Sequence, residues 1–431
     1  MRRGAPYAAA AAASLLAILP VRITAQPLAP GAPVTPLVAA APAAGESPQV
    51  TEGRHLAILG DCEGCHDRPG AAPFSGGFPL PTPFGTIYSA NLTQDRETGI
   101  GAWSADDFWN AMHNGVRKDG AKLYPAFPYP YFTHITRAES DALFAYFKTI
   151  PPVSYRPPPN KLPFPLNIRL LVTFWNLLYF KPDKAPTTGP TAGQHIVEGL
   201  GHCGACHTPK TFLGGDKNDH ELEGGKLDNW FAPELTANVR RGLGAWSTPE
   251  VVEYLKTGRN DRANASGSMA DVIQFSTSRM TDADLGAVAD FLRAHPSHAA
   301  APDTPRPDAK VMAAGEAIYV DQCAACHAVD GKAQPTYFPP LPGAAVTQST
   351  DPTTMLRFIL SGTQTVATDA RPTPLSMPSY GWKLTDDQVA AVATYVRNSW
   401  GNAAPAVTVS QVAKLRGKVA KTPVRKPSAV I

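Results

Sequence analysis

Cys62-Glu63-Gly64-Cys65-His66, Cys203-Gly204-Ala205-Cys206-His207 and Cys323-Ala324-Ala325-Cys326-His327 are the stretches whose reading decides the fold. Together they use all six cysteines of the chain. C-x-x-C-H is the attachment pattern for haem c. Two thiols add to the two vinyl groups of one haem edge, and the histidine that follows lies under the ring and ligates the iron. A C-x-x-C alone would equally suit a zinc ribbon or a thiol redox site. Zinc needs a second ligand pair beside each motif, and the sequence offers none. A disulfide framework would not set a histidine after every second cysteine. Three intact motifs therefore predict three covalently bound haem c groups. Cys62, Cys65, Cys203, Cys206, Cys323 and Cys326 are the expected attachment points, and His66, His207 and His327 the expected proximal iron ligands.

The start of the chain points to export. Arg2 and Arg3 precede an alanine- and leucine-rich stretch, and Ile23-Thr24-Ala25 offers a cleavage site. That is the make-up of a secretory signal over residues 1–25, not of a spanning helix. Haem c is attached outside the bacterial cytoplasm, so the expected location is the periplasm, at the outer face of the inner membrane. Residues 26–49 are rich in alanine and proline and read as a flexible leader. The 431 residues suffice for roughly two to four domains. A net charge of +3 carries no basic field for nucleic acid. The 44 prolines suit small helical domains that wrap a cofactor with long loops.

One order of elements recurs three times: helix, C-x-x-C-H, long loop, helix, loop, final helix. Leading helices are expected at Glu52–Leu59, Gly193–Leu200 and Gly315–Val320. Middle helices follow the matching starts Gly101-Ala102-Trp103-Ser104 and Gly244-Ala245-Trp246-Ser247, with Ser104 and Ser247 as N-caps. The third begins near Asp351-Pro352. Final helices are expected at Thr136–Lys148, Thr281–Arg293 and Thr385–Asn398, each opened by threonine with acidic or amide residues behind it. The domains fall at 50–150, 191–296 and 310–400, with an apolar connector at 151–190, a linker at 297–309 and a tail at 401–431.

Iron in such a site takes methionine on its far face, from the loop before the final helix. Met377 in Ser376-Met377-Pro378 and Met269 in Ser268-Met269-Ala270 occupy that slot. Met280, Met312 and Met355 read as packing. In the first repeat Phe127-Pro128 stands where the methionine belongs. Met112, His113, His134 and Lys148 are the donors within reach by sequence, with Met112 and His113 as joint first choices.

These motifs resemble the triheme cytochrome c subunits of bacterial membrane-bound dehydrogenases. The likeness is carried by Asn91-Leu92-Thr93, by Gly99-Ile100-Gly101-Ala102-Trp103-Ser104, and by the run from Asp119 to Tyr129. Leu255-Lys256-Thr257-Gly258-Arg259 and Tyr395-Val396-Arg397-Asn398-Ser399-Trp400-Gly401-Asn402 add to it. The resemblance implies an all-α fold of three tandem class I cytochrome c-like domains, each wrapping one haem. It implies electron transfer from a catalytic dehydrogenase subunit, of quinoprotein, flavin or molybdenum type, to ubiquinone or a downstream cytochrome or oxidase. Many relatives carry methionine where Phe127 stands, and the phenylalanine form resembles the subset serving molybdenum hydroxylases.

Leu162 to Phe180 is apolar but interrupted by Asn167, Arg169 and Asn176. It is too short and too polar to span a bilayer. An interdomain helix, a docking surface and a membrane-interface segment all remain open for it. The tail from Val407 to Val419 predicts an amphipathic helix with Lys414, Arg416 and Lys418 on one side, either a peripheral anchor or a solvated basic face. Two other classes of function compete. A free periplasmic shuttle would not need three fused units, and a multihaem peroxidase would need an acid–base residue beside an open iron. No dinucleotide fingerprint or nucleophile elbow is present.

Overall fold

The computed structural model describes residues 45–184, 191–227, 229–298, 304–334 and 337–419. The signal predicted at 1–25, nearly all of the leader and the end of the tail lie outside these residues. The molecule is mostly helical. Against the all-α expectation, three short antiparallel hairpins also form: Pro79–Thr82 with Gly85–Tyr88, Gly225–Leu227 with Trp230–Ala232, and Thr363–Gln364 with Ser376–Met377.

A single packing motif occurs three times. Leading helices Pro48–Leu59, Ala192–Glu198 and Ala309–Gln322 cross final helices Arg137–Phe147, Asp282–Ala294 and Asp386–Asn398. The crossings are closed by glycine. A Cβ at Gly53 would overlap the Ala142 carbonyl, at Gly193 that of Ala287, and at Gly315 that of Ala391. An aromatic residue four positions on, Tyr146, Phe291 or Tyr395, packs beside each glycine. The third leading helix is longer than the sequence reading. Asp308 caps it by accepting from Lys310 and Val311 N–H groups, so it begins well before Gly315.

Local chemistry explains the helix starts. Ser104 with Asp107, Thr136 with Glu139, Ser247 with Glu250, Thr281 with Asp284, and Thr385 with Gln388 form reciprocal capping boxes. The middle helices Ala105–Asn114 and Thr248–Thr257 end on Gly115 and Gly258, at φ 61° and 79°. That left-handed geometry suits glycine.

The first two repeats share one buried core, running from Leu56 and Phe108 through Leu143 and Ile196 to Leu285 and Leu292. The third builds its own around Leu356, Val389, Val392 and Val396. Val412 and Leu415 of the tail helix Val409–Val419 are buried in that third core, and Arg416 bonds Asp386 Oδ1 at 2.7 Å. The apolar side of the tail helix is therefore covered by its own chain. Within the connector, Leu171–Tyr179 forms a helix whose Val172 is buried and whose Trp175 donates to the Leu213 carbonyl at 2.9 Å. Leu170, Phe174, Leu177 and Leu178 are exposed, as are Phe164 and Phe212, and Phe174, Leu177, Leu178 and Phe212 line a wide apolar cleft. No helix among the described residues is long and apolar enough to cross a membrane.

The seam between the first two repeats is reciprocal. His195 of the second leading helix bonds Glu139, the capping acid of the first final helix, at 2.6 Å. His55 of the first leading helix approaches Asp284, the capping acid of the second final helix, at 3.3 Å. Burial pushes the His195 pKa down, but the Glu139 bond and charge outweigh it and leave it raised. Burial pushes the Glu139 and Asp284 carboxyls up, and their hydrogen bonds and histidine partners outweigh it, leaving both lowered.

Two predictions follow from these contacts. Gly193→Val forces the helices apart at a backbone contact and should cost about 3 kcal/mol or more, read as a loss of thermal stability; Gly286→Ala, in open space on the same final helix, should not. The raised His195 contributes stability that is complete below about pH 6.5 and lost as pH rises through its folded pKa. The lowered Glu139 contributes stability present above about pH 4.5 and lost as pH falls through its folded pKa. The melting-temperature gap between the unaltered protein and Glu139→Gln should therefore be widest near pH 5–6 and shrink toward pH 8. A gap that is flat with pH would remove the pair from the stability of the seam.

Candidate haem sites

Each C-x-x-C-H lies on a single helical turn directly after a leading helix: Cys62–His66, Gly204–His207 and Ala324–His327. The turn puts the histidine one residue past the second thiol, where it would supply a nitrogen to a haem held by the two thiols. His66 Nδ1 is 2.7 Å from the Ala90 carbonyl, and His207 Nδ1 is 2.6 Å from the Pro233 carbonyl. A carbonyl only accepts, so Nδ1 carries the proton and Nε2 is left with a free lone pair. That is how a second partner orients a histidine that ligates a metal. His327 turns Nδ1 toward the Pro339 carbonyl without closing a full hydrogen bond. Burial lowers all three pKa values, that of His66 to about 4, so the imidazoles are neutral and ready to ligate.

The first thiol of each motif is raised in pKa rather than activated. Burial pushes Cys203 up to about 12 and Cys323 up to about 11, and Cys62 higher still. Activated thiolates require the opposite shift. Among the described residues no group of three or more histidine, cysteine or acidic side chains gathers to hold a metal ion.

Cys65 and Cys206 open onto one continuous cavity of about 2900 Å³. Ordinary small-molecule pockets reach roughly 1,000 Å³, so the space suits something much larger than a substrate. Phe84, Trp175, Phe231 and other apolar side chains form much of its wall. An apolar cleft beside paired thiols and an oriented neutral imidazole fits a covalently held haem.

The two attachment turns on this cavity are packed reciprocally. The short helix Tyr129–Phe132, which follows Phe127, meets the second turn, where a Cβ at Gly204 would lie 2.8 Å from the Tyr131 hydroxyl. The helix Ser268–Phe275, which carries Met269, packs against the first turn Cys62–His66. Arg279 just beyond it pairs with Glu63 inside the first motif. His202, half-buried directly before the second turn, stacks on Phe132 at 5.7 Å, and desolvation lowers its pKa. Sequence reasoning missed it, although a histidine directly before the first cysteine of Cys203–His207 was the available signal.

Met377 sits not in an open loop but in the hairpin strand Ser376–Met377, partly buried against the third core. Met269 is not part of an open loop either. It is the second residue of a helix that follows Gly267 at φ 60°. Met280 and Met355 are buried in the cores, and Met312 packs on the third. Phe127 is half-buried and meets Phe132 edge-on at 5.3 Å. Met112 points into the shared core. His113 stacks on Trp109 at 4.3 Å with Nδ1 3.1 Å from Asn114 Oδ1. Neighbours on a helix diverge by about 100°, so Met112 and His113 do not address the same atom. His134 pairs with Asp183 at 2.8 Å, and Lys148 lies over the Phe144 ring.

A mostly helical chain with this attachment geometry is a c-type cytochrome, and the cytochrome c family model matches residues 312–400. The chain is 39% identical over 396 residues to the gluconate 2-dehydrogenase cytochrome c subunit of Pantoea cypripedii, covering 85% of this chain and 89% of that one. It is 35% identical to the cytochrome c subunit of the quinone alcohol dehydrogenase of Gluconobacter oxydans, over 85% and 82% of the two chains. It is 32% identical to the fructose dehydrogenase cytochrome subunit of Gluconobacter japonicus, over 99% and 92%. The chain belongs to this family of dehydrogenase cytochrome c subunits.

Phe127→Met tests the empty methionine position of the first repeat. The swap is close in volume and should cost about 1 kcal/mol or less, and it should add a methionine-to-iron charge-transfer band to the oxidised spectrum. An unchanged spectrum would mean that residue 127 does not face the iron.

Proposed function

We propose that this chain carries three covalently bound haem c groups and passes electrons from a catalytic dehydrogenase subunit to ubiquinone or a downstream cytochrome or oxidase. The observation that carries the proposal is the threefold recurrence of one arrangement: a glycine-closed helix crossing, an attachment turn after it, and a histidine with its Nδ1 turned to a loop carbonyl. The three domains are 50–150, 191–296 and 310–400. Bound haem supplies a one-electron iron couple within the apolar interior. The chain's residues do the rest: the six cysteines hold the ring edges, His66, His207 and His327 supply proximal nitrogens, and Met269 and Met377 supply the far ligands of the second and third irons. Methionine on the far face raises the potential, so the first repeat, with Phe127 in that place, differs from the other two.

Export by residues 1–25 places the mature protein in the periplasm, at the outer face of the inner membrane. The exposed Phe164 and Leu170 of the connector, which lie outside the haem cleft, support contact with an apolar surface, either the membrane or the partner. The partner is a dehydrogenase of quinoprotein, flavin or molybdenum type, and the phenylalanine at 127 favours the molybdenum subset.

The purified mature protein should bind three haems per chain, and Met269→Ala and Met377→Ala should each remove one charge-transfer band and lower one potential. Alone it should be reducible yet oxidise neither alcohols, aldehydes nor gluconate, whereas it should co-purify with a large catalytic subunit. A ratio near two, or turnover without a partner, would overturn the proposal.

A further inference from the structure

Arg259 lacks the partner its position demands. It follows the middle helix of the second repeat, one residue past Gly258, and is only 7% exposed. Its Nη2 reaches the Thr373 carbonyl at 3.4 Å and its Nε has no partner. Among the described residues it makes no ion pair. The cation Arg371 acts on it by repulsion and is itself engaged with Glu253 at 3.2 Å. A buried guanidinium beside a like charge, with one N–H unbonded, calls for an anion.

The surroundings say which anion. Arg259 bridges antiparallel to Asn264, whose amide donates to the Tyr337 carbonyl at 3.4 Å. Two residues further, Ser266 bridges to Thr365, and Thr365 N–H bonds the Leu375 carbonyl at 2.8 Å. Tyr337 lies on the segment that follows His327, and Thr373 on the one that leads to Met377. If His327 and Met377 are axial ligands on opposite faces, these two segments flank the edge of the ring between them. Arg259 is thus delivered by the second repeat into the loops of the third. The anions carried by a haem are its two propionates, and a guanidinium fork matches a carboxylate.

We propose that Arg259 anchors a propionate of the third haem, so that the site of the third repeat is completed by a residue of the second. The proposal rests on the three-haem reading. The cation also favours the reduced iron, because reduction removes positive charge beside it, and it therefore raises the potential of this haem over that of the same site without it.

The test uses the full mature protein loaded with haem. Haem per chain is counted first, and a value below three defeats the three-haem reading independently of Arg259. Potentiometric titration of Arg259→Met should then show one potential lowered, with the other two unmoved. Arg259→Lys, which keeps the charge and loses the fork, should recover most of that shift. The affected couple is identified by adding Met377→Ala, which should move the same component. An unshifted titration in Arg259→Met, or a shift confined to a couple that Met377→Ala leaves alone, would overturn the assignment. Should Arg259→Met assemble without its third haem, Arg259→Lys decides. Three haems with a small downward shift support the anchor, and unchanged potentials with unchanged spectra oppose it.

Discussion

A backbone carbonyl pressed into the space a side chain would fill is the contact on which the rest of the structure depends. At Gly53, Gly193 and Gly315 the leading and final helices come close enough that any Cβ would collide. This close crossing sets the height of the loop after the leading helix, and the attachment turn starts within a few residues of it. The glycine thus decides where the thiols and the histidine stand relative to the aromatic residue beside it. Small helical units of this kind bury little on their own. Their cores are completed by what the turn holds, by neighbouring repeats, or in the third repeat by the tail helix that covers Val396 and Leu356.

The first two repeats solve the shortage of core by sharing one. Their capping acids serve twice: Glu139 and Asp284 close their own helix starts and also receive a histidine from the opposite leading helix. The attachment turns follow the same exchange, each packed by the helix from the other repeat that leads toward the final helix. Electron tunnelling weakens steeply with distance, so on the proposed three-haem reading a seam that brings Cys65 and Cys206 onto one cavity would also serve electron transfer.

Much of this was legible in the sequence because it is local. The capping boxes at Thr136, Thr281 and Thr385 depend on residues three positions apart, and their helices start where the pattern says. The C-x-x-C-H turns are equally self-contained. The third leading helix was read short because Asp308, its cap, lies in a proline-rich stretch that looks like linker. Met269 was read as part of the loop before the final helix, yet Gly267 opens a helix there. The exchange of histidines across the seam and the burial of Val412 and Leu415 could not be read at all. Each joins residues far apart in sequence, and nothing in the local pattern of His55 or His195 names its partner.

The seam between the second and third repeats differs in kind from the first. It combines a small apolar cluster, Ala265, Ile273 and Val366, with side-chain bonds: Phe231 and Thr354 exchange two hydrogen bonds at 2.8 Å, Lys226 pairs with Asp351 at 2.9 Å, and Arg240 reaches Gln348 and the Gly401 carbonyl at 3.0 Å. Trp230 lies under the Arg357 guanidinium at 4.2 Å and edge-on to Phe358 at 5.9 Å. Hydrophobic burial fuses the first pair into one body, whereas directional bonds fix the register of the third. Directional bonds tolerate little sliding, because their strength falls off quickly with misalignment. That difference is what a chain needs when a loop of one repeat must meet the loops of the next in a single register, as the bridge from Ser266 to Thr365, next to the strand paired with that of Met377, requires.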